Sequence, residues 1–346
     1  MRTLLIGYHV ASCEETRSGV VQNFLRAASA LHRDMNLPCT VFVQGKTLET
    51  CPDPILRFRD ECGDLVDFQQ YTYAGLPLKT VCQENHRGIR IFRGLLPEHG
   101  RDSIERTNEL MQRTLGVRPR GLSAPLGHYR GLADAPEVLE VLHECGIRFV
   151  RSWTRNAHDW SPLAFETQPF TYDKQGFPEM MEIPGQGWPD DLLREMLGSD
   201  KHDAFVRHCC KDLDYVAAKE LVWSFVANDW SAIREDPEMR AQRAILEHAQ
   251  ESGFAIVTHR DHYEAIAGPI TDAPPRTPTE SVPSTPRGAT IVKEADRQRG
   301  RKRSWRSRRT WLRALVVRNR GHAPLRRLMR KAGSERRRKL LVTLSR

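Results

Sequence analysis

Over the first 267 residues, short apolar β-rich runs alternate with longer segments of helical spacing, and that order leaves few folds open. Residues 4–8 form a short apolar run, and 19–35 follow with Val21, Phe24, Leu25, Ala28 and Leu31 at the spacing of one helix face. Residues 39–43 are a second β-rich run. Helical spacing returns at 103–115, 135–144, 203–219 and 237–251, interleaved with a strand near 121 and strands over 147–151, 221–226 and 254–257. β-then-α repetition predicts an α/β fold, a parallel sheet covered by helices and closed into a distorted barrel. In such a barrel the chemistry sits on the loops that follow the strands' carboxyl ends.

The remainder of the chain is of another kind. The 346 residues are 39% hydrophobic and carry a formal charge of +9, but residues 293–346 hold 21 Lys and Arg against 3 Asp and Glu, a net of +18, which leaves −9 on residues 1–292. Between body and tail, Pro269, Pro274, Pro275, Pro278, Pro283 and Pro286 recur with threonines and support neither a helix nor a paired strand. Three parts are predicted: a folded domain over 1–267, a Pro/Thr-rich linker over 268–292, and an Arg-rich tail over 293–346, disordered or amphipathic helical. In the tail, Trp311, Leu312, Leu315 and Val316 would share a helix face flanked by arginines. That pattern fits an anionic membrane surface or nonspecific, salt-sensitive contact with nucleic acid.

No run of 18 apolar residues occurs and the opening turns polar after Gly7, so neither a spanning helix nor ordinary secretion is expected. Eight cysteines without a C-x-x-C pair fit reduced thiols. The expected location is the cytoplasm, with the tail able to hold the protein at the inner membrane face.

At the predicted strand ends stand Tyr8-His9-Val10, Val43-Gln44-Gly45, Gln69-Gln70-Tyr71-Thr72-Tyr73-Ala74-Gly75, Ser123-Ala124-Pro125-Leu126-Gly127, Ala157-His158-Asp159-Trp160, Ala227-Asn228-Asp229-Trp230 and Thr258-His259. In that order and spacing they resemble the polysaccharide deacetylase (NodB-homology, carbohydrate esterase family 4-like) family, across essentially all of residues 1–267. The resemblance implies a distorted (β/α) barrel that removes acetyl groups from amino sugars by metal-assisted hydrolysis. In that family an Asp and an H-x-x-x-H pair hold a divalent metal, a neighbouring Asp is the base, and a late His protonates the leaving amine.

Carried over residue by residue, those roles fall on groups that cannot perform them. The paired aspartates fall on His9 and Val10, and a D-x-E variant would need a carboxylate where Ala11 stands. The H-x-x-x-H pair falls on Tyr71 and Gly75, neither a zinc-type ligand. The arginine and tyrosine of R-P-P-Y-G fall on Ser123 and Leu126. The acid histidine falls on Asn228, an amide without a usable pKa. Asp159-Trp160 keeps the family's fourth motif.

Each lost proton-transfer or charge-stabilising role is worth roughly 10²- to 10⁴-fold, which predicts an impaired or inactive member that keeps a cleft for a glycan or nucleotide sugar. Neutral hydrogen bonds and stacking faces for such a ligand are expected from Gln70, Tyr71, Ser123, His128, Trp160, Trp188, Asn228 and Trp230. Surviving catalytic duty would fall to His9, Asp159 or Asp229. No cofactor is expected; a zinc-type ion enters only if a rebuilt site gathers three of His9, Asp159, Asp229, His128 and His259. Gly185-Gln186-Gly187-Trp188-Pro189-Asp190-Asp191 is expected to be a barrel-lip loop. Two alternatives stay open: an active hydrolase of N-acetyl or other amide bonds, and an adaptor acting through the basic tail.

Overall fold

A computed structural model describes residues 2–12, 19–85, 88–95 and 97–270. All of them belong to one unit of the chain, Met1–Pro275. The expectations for the tail and for most of the linker lie outside the described residues.

The elements run in the alternating order read from the sequence. The first half holds β1 (Thr3–Val10), α1 (Val20–Met35), β2 (Cys39–Val43), α2 (Gly45–Thr50), α3 (Pro52–Cys62), β3 (Val66–Gln70), a hairpin of β4 (Val81–Asn85) and β5 (Gly88–Phe92), α4 (Pro97–Leu115) and β6 (Gly121–Tyr129). The second half holds α5 (Pro136–Glu144), β7 (Phe149–Arg155), β8 (Phe170–Tyr172), β9 (Phe177–Glu182), α6 (Asp190–Leu197), α7 (His202–Ala218), β10 (Val222–Asn228), α8 (Asp229–Ala232), α9 (Arg240–Glu251), β11 (Ala255–Val257) and α10 (His259–Ala267). No described helix is long and apolar enough to cross a membrane. The described cysteines Cys39, Cys51, Cys62, Cys145, Cys209 and Cys210 are free thiols.

The main sheet runs β10-β1-β2-β3-β6-β7-β9-β8, parallel except for the β8–β9 pair. β1 is its organiser. One edge pairs with β10 from Thr3 to His9, while the other is shared, β11 taking Thr3–Leu5 and β2 taking Gly7–Val10. The loop after β9 is tied to β10: the Gln186 side-chain Oε1 accepts from Ser224 N at 3.0 Å, and the Gln186 backbone carbonyl accepts from Trp223 Nε1 at 3.1 Å.

Period-two alternation sorts each strand into an outer and an inner face. On β1, Leu4, Ile6, Tyr8 and Val10 pack outward with α1 residues Val21, Phe24, Leu25 and Ala28 in the main core. Tyr8 also donates its hydroxyl to His32 Nε2 at 2.8 Å, since the other ring nitrogen of His32 faces the Leu37 carbonyl at 2.9 Å. The inner face begins apolar, where Leu5, Phe149, Met181, Ile183 and Tyr263 form a separate cluster. Toward the carboxyl ends the same parity brings in polar groups: His9 on β1, Ser123 on β6, Arg151 on β7, and Ser224 and Asn228 on β10. The interior is thus an apolar plug beneath a polar floor.

Candidate functional site

His9, Tyr71, Ser123 and Asn228 converge on that floor. His9 Nε2 lies 2.8 Å from Ser123 Oγ and its Nδ1 lies 3.3 Å from Asn228 Oδ1. An amide oxygen only accepts, so Nδ1 carries the proton and Ser123 donates to Nε2. The Tyr71 ring packs beside the imidazole at a centroid distance of 4.5 Å. Asn228 then donates Nδ2 to Asp190 Oδ1 at 3.2 Å, and its backbone N–H donates to the same oxygen at 3.2 Å. Ser123, His9, Asn228 and Asp190 form one directed hydrogen-bond line.

Electrostatics keep this line largely uncharged. Burial pulls the His9 imidazole down to about 3, with the nearby positive Arg151 acting the same way and the Asn228 hydrogen bond only partly opposing. Burial also pushes the Tyr71 phenol upward. The Asp190 carboxyl is pushed up to about 7, first by burial and then by the charge of Asp191.

Two members of this floor were not anticipated. The stretch Gly185–Asp191 reads as a lip loop, yet Asp190 opens α6 and turns its carboxylate toward Asn228; the Pro189 before it marks a helix start but gives no sign of the partner. Arg151 ends a run whose neighbours are apolar, and its parity with Phe149 was the available signal of an inward cation. Its Nε donates to Ser224 Oγ at 3.1 Å, and Ser224 Oγ lies 2.8 Å from Nε2 of the buried His259.

Other predicted residues sit elsewhere. Gln70 faces outward and donates to Asn108 Oδ1 of α4 at 2.7 Å, so it holds a helix to the sheet. Trp188 is buried in the main core, filling space among helices and strands. His128 is buried at the end of β6 beside Trp153 of β7, with neither ring nitrogen hydrogen-bonded, and burial drives its imidazole down to about 3. Asp159 and the half-buried Trp160 belong to a turn closed by Asn156, where Asp159 lies 3.8 Å from Arg155 Nε. Trp230 is half-buried immediately after Asp229.

Asp229 is fully committed to structure. Its carboxylate accepts from Ala11 N at 3.0 Å, Ser12 N at 2.9 Å, Ser12 Oγ at 2.7 Å and Trp230 N at 2.7 Å. It pins the chain leaving β1 to the start of α8 and has no lone pair left for a water or a metal.

The residues at the metal positions do not fit a divalent ion. Both nitrogens of His9 are engaged, Tyr71 is a phenol that burial keeps protonated, and Gly75 has φ +68°, where a histidine would be strained and its Cβ would meet Gln44 Nε2 at 2.9 Å. Among the described residues no three His, Cys, Asp or Glu side chains gather as a ligand set. Ser123, His9 and Asn228 do have the connectivity of a nucleophile, a base and an orienting amide. However, Ser123 is 0% exposed, and an imidazole held down to about 3 is a feeble base.

No family model matches the chain, and no curated protein matches it by sequence. Solved structures do match. A polysaccharide deacetylase from Mycobacterium smegmatis aligns with a TM-score of 0.55 over 81% of this chain and 94% of that one, at 14% identity. The chain has the polysaccharide deacetylase fold. A polysaccharide deacetylase from Pseudomonas aeruginosa PAO1 aligns with this deacetylase fold at a TM-score of 0.55 and 12% identity, over 76% and 90% of the two chains. Puue allantoinase aligns at 0.55 and 12%, over 77% and 91%. At such identities the likeness establishes the deacetylase fold alone.

Proposed function

We propose that this deacetylase-fold chain binds a glycan or nucleotide sugar in the cleft at its strands' carboxyl ends without hydrolysing it. The observation that carries the reading is the Ser123–His9–Asn228–Asp190 line, which fills the floor where a metal and two proton carriers would be needed. The uncharged Ser123–His9–Asn228 row beside the Tyr71 ring suits a sugar's hydroxyls and ring. On this reading the Arg-rich residues 293–346 attach the protein to an anionic surface, the inner face of the membrane in the cytoplasm, with nonspecific nucleic acid the competing partner.

The experiment is incubation of the full chain with a fully acetylated chito-oligosaccharide, with and without added zinc, while calorimetry measures binding. Saturable binding with no acetate released above the buffer rate is expected. Acetate release that vanishes in His9→Ala would replace this reading with that of an active hydrolase.

A further inference from the structure

Among the described residues, Arg151 is a cation inside the barrel with no ion-pair partner. Its Nε donates to Ser224 Oγ, its side chain is part-buried, and its terminal nitrogens make no hydrogen bond to a described residue. No carboxylate pairs with it among the described residues; of the acids nearest in charge, Glu182 is occupied and Asp190 is engaged through one oxygen. Glu182 accepts from Ser152 N at 2.7 Å, Ser152 Oγ at 2.5 Å, Trp153 N at 2.7 Å and Tyr172 Oη at 2.6 Å. Asp190 serves Asn228 through Oδ1, while its Oδ2 is buried without a hydrogen-bond partner and makes no ion pair with Arg151. The other basic groups facing it, His9 and His259, are kept neutral by burial.

The loop after β9 makes room for this guanidinium. A Cβ on Gly185 would lie 2.3 Å from Arg151 Nη2 and 2.6 Å from Cζ, so the guanidinium holds this position only while residue 185 has no side chain. A planar guanidinium with two outward N–H edges suits a pair of oxygens. A part-buried cation left unpaired is costly, so a ligand that neutralises it gains more than the same contact would in water.

We infer that the cleft selects a sugar carrying an oxyanion, a carboxylate or a phosphate, received by the terminal nitrogens of Arg151. The inference rests on the sugar-binding reading above and narrows it to anionic sugars. Burial lowers the Arg151 guanidinium only to about 10, so it remains charged at neutral pH.

The test is calorimetry on the full chain with glucuronate, glucose 1-phosphate and N-acetylglucosamine, at a salt concentration that screens the tail's own attraction for anions. At least one anionic sugar should bind with one-to-one stoichiometry and more tightly than N-acetylglucosamine. The tighter of the two tells carboxylate from phosphate. Arg151→Gln should weaken the anionic sugars about 10- to 100-fold, the range for a lost charge-assisted hydrogen bond, and abolish the preference. Gly185→Ala, which displaces the guanidinium, should weaken them in the same direction, and it carries the test if Arg151→Gln fails to fold. Equal affinity for neutral and anionic sugars, or anion binding untouched by both substitutions, overturns the inference. Binding of N-acetylglucosamine alone sinks only the anion preference, whereas binding of none of the three sinks the sugar-binding reading as well.

Discussion

A histidine with both ring nitrogens engaged inside a barrel titrates far from its free value, and His9 is held down to about 3 against 6.5 for the free group. His32 is held down to about 4 and His128 to about 3, each chiefly by burial. Folding therefore favours their neutral forms. Their contribution to stability is complete above about pH 6.5 and is lost as pH falls toward 3 to 4. Asp67 and Asp190 run the opposite way: pushed up to about 7 by burial, they favour folding at low pH and cost stability as pH rises through 7. NMR of the imidazoles should show His9 and His128 without a titration step between pH 8 and 5; a midpoint near 6.5 for His9 would mean that the floor is open to water. Asp229 gives a sharper test. Asp229→Ala strands four donors, each buried donor costing about 1–3 kcal/mol, so denaturant unfolding should show a loss of about 3 kcal/mol or more. A loss below about 1 kcal/mol would return Asp229 to the list of residues free for chemistry.

At the scale of elements, the β6–β7 pair packs closely around one glycine. Gly127 has φ +59°, and a Cβ there would lie 1.7 Å from Thr154 Oγ1 on the neighbouring strand. Gly127→Ala should lower stability by about 1–2 kcal/mol from the backbone alone, with Thr154 displaced in addition, as read from the thermal midpoint. The long amphipathic helices and the apolar strands were legible because each repeats its pattern over enough residues to be unambiguous. The short helices α2 and α3, the hairpin and the β8–β9 pair were not, since β9 contains Pro178 and two glutamates and α6 hides behind Gly187 and Pro189. In the site, His9, Tyr71, Ser123 and Asn228, singled out by motif order, lie together at the carboxyl ends of the strands. Parity would have gone further: counting in twos back from Tyr71 puts Gln69 inside, where its Oε1 accepts from Arg120 N and Gly121 N, and turns Gln70 out toward α4. Nothing local to Asp190 pointed to Asn228, because that contact exists only once α6 docks against the end of β10.

At the scale of the whole molecule, an acidic body of −9 is joined to a tail of +18, so the two should respond differently to salt. Deleting 293–346 should abolish retention on anionic liposomes or RNA at low salt and leave sugar binding intact, measured by co-sedimentation and calorimetry. Retention that survives the deletion would move the anionic partner to the body. The deadlocked floor is the claim on which the rest depends, and metal analysis by mass spectrometry of the full chain purified without chelators probes it most directly. Zinc, nickel and cobalt should each be far below one equivalent, the same in wild type and His9→Ala; one equivalent of any of them, lost in His9→Ala, would contradict the account.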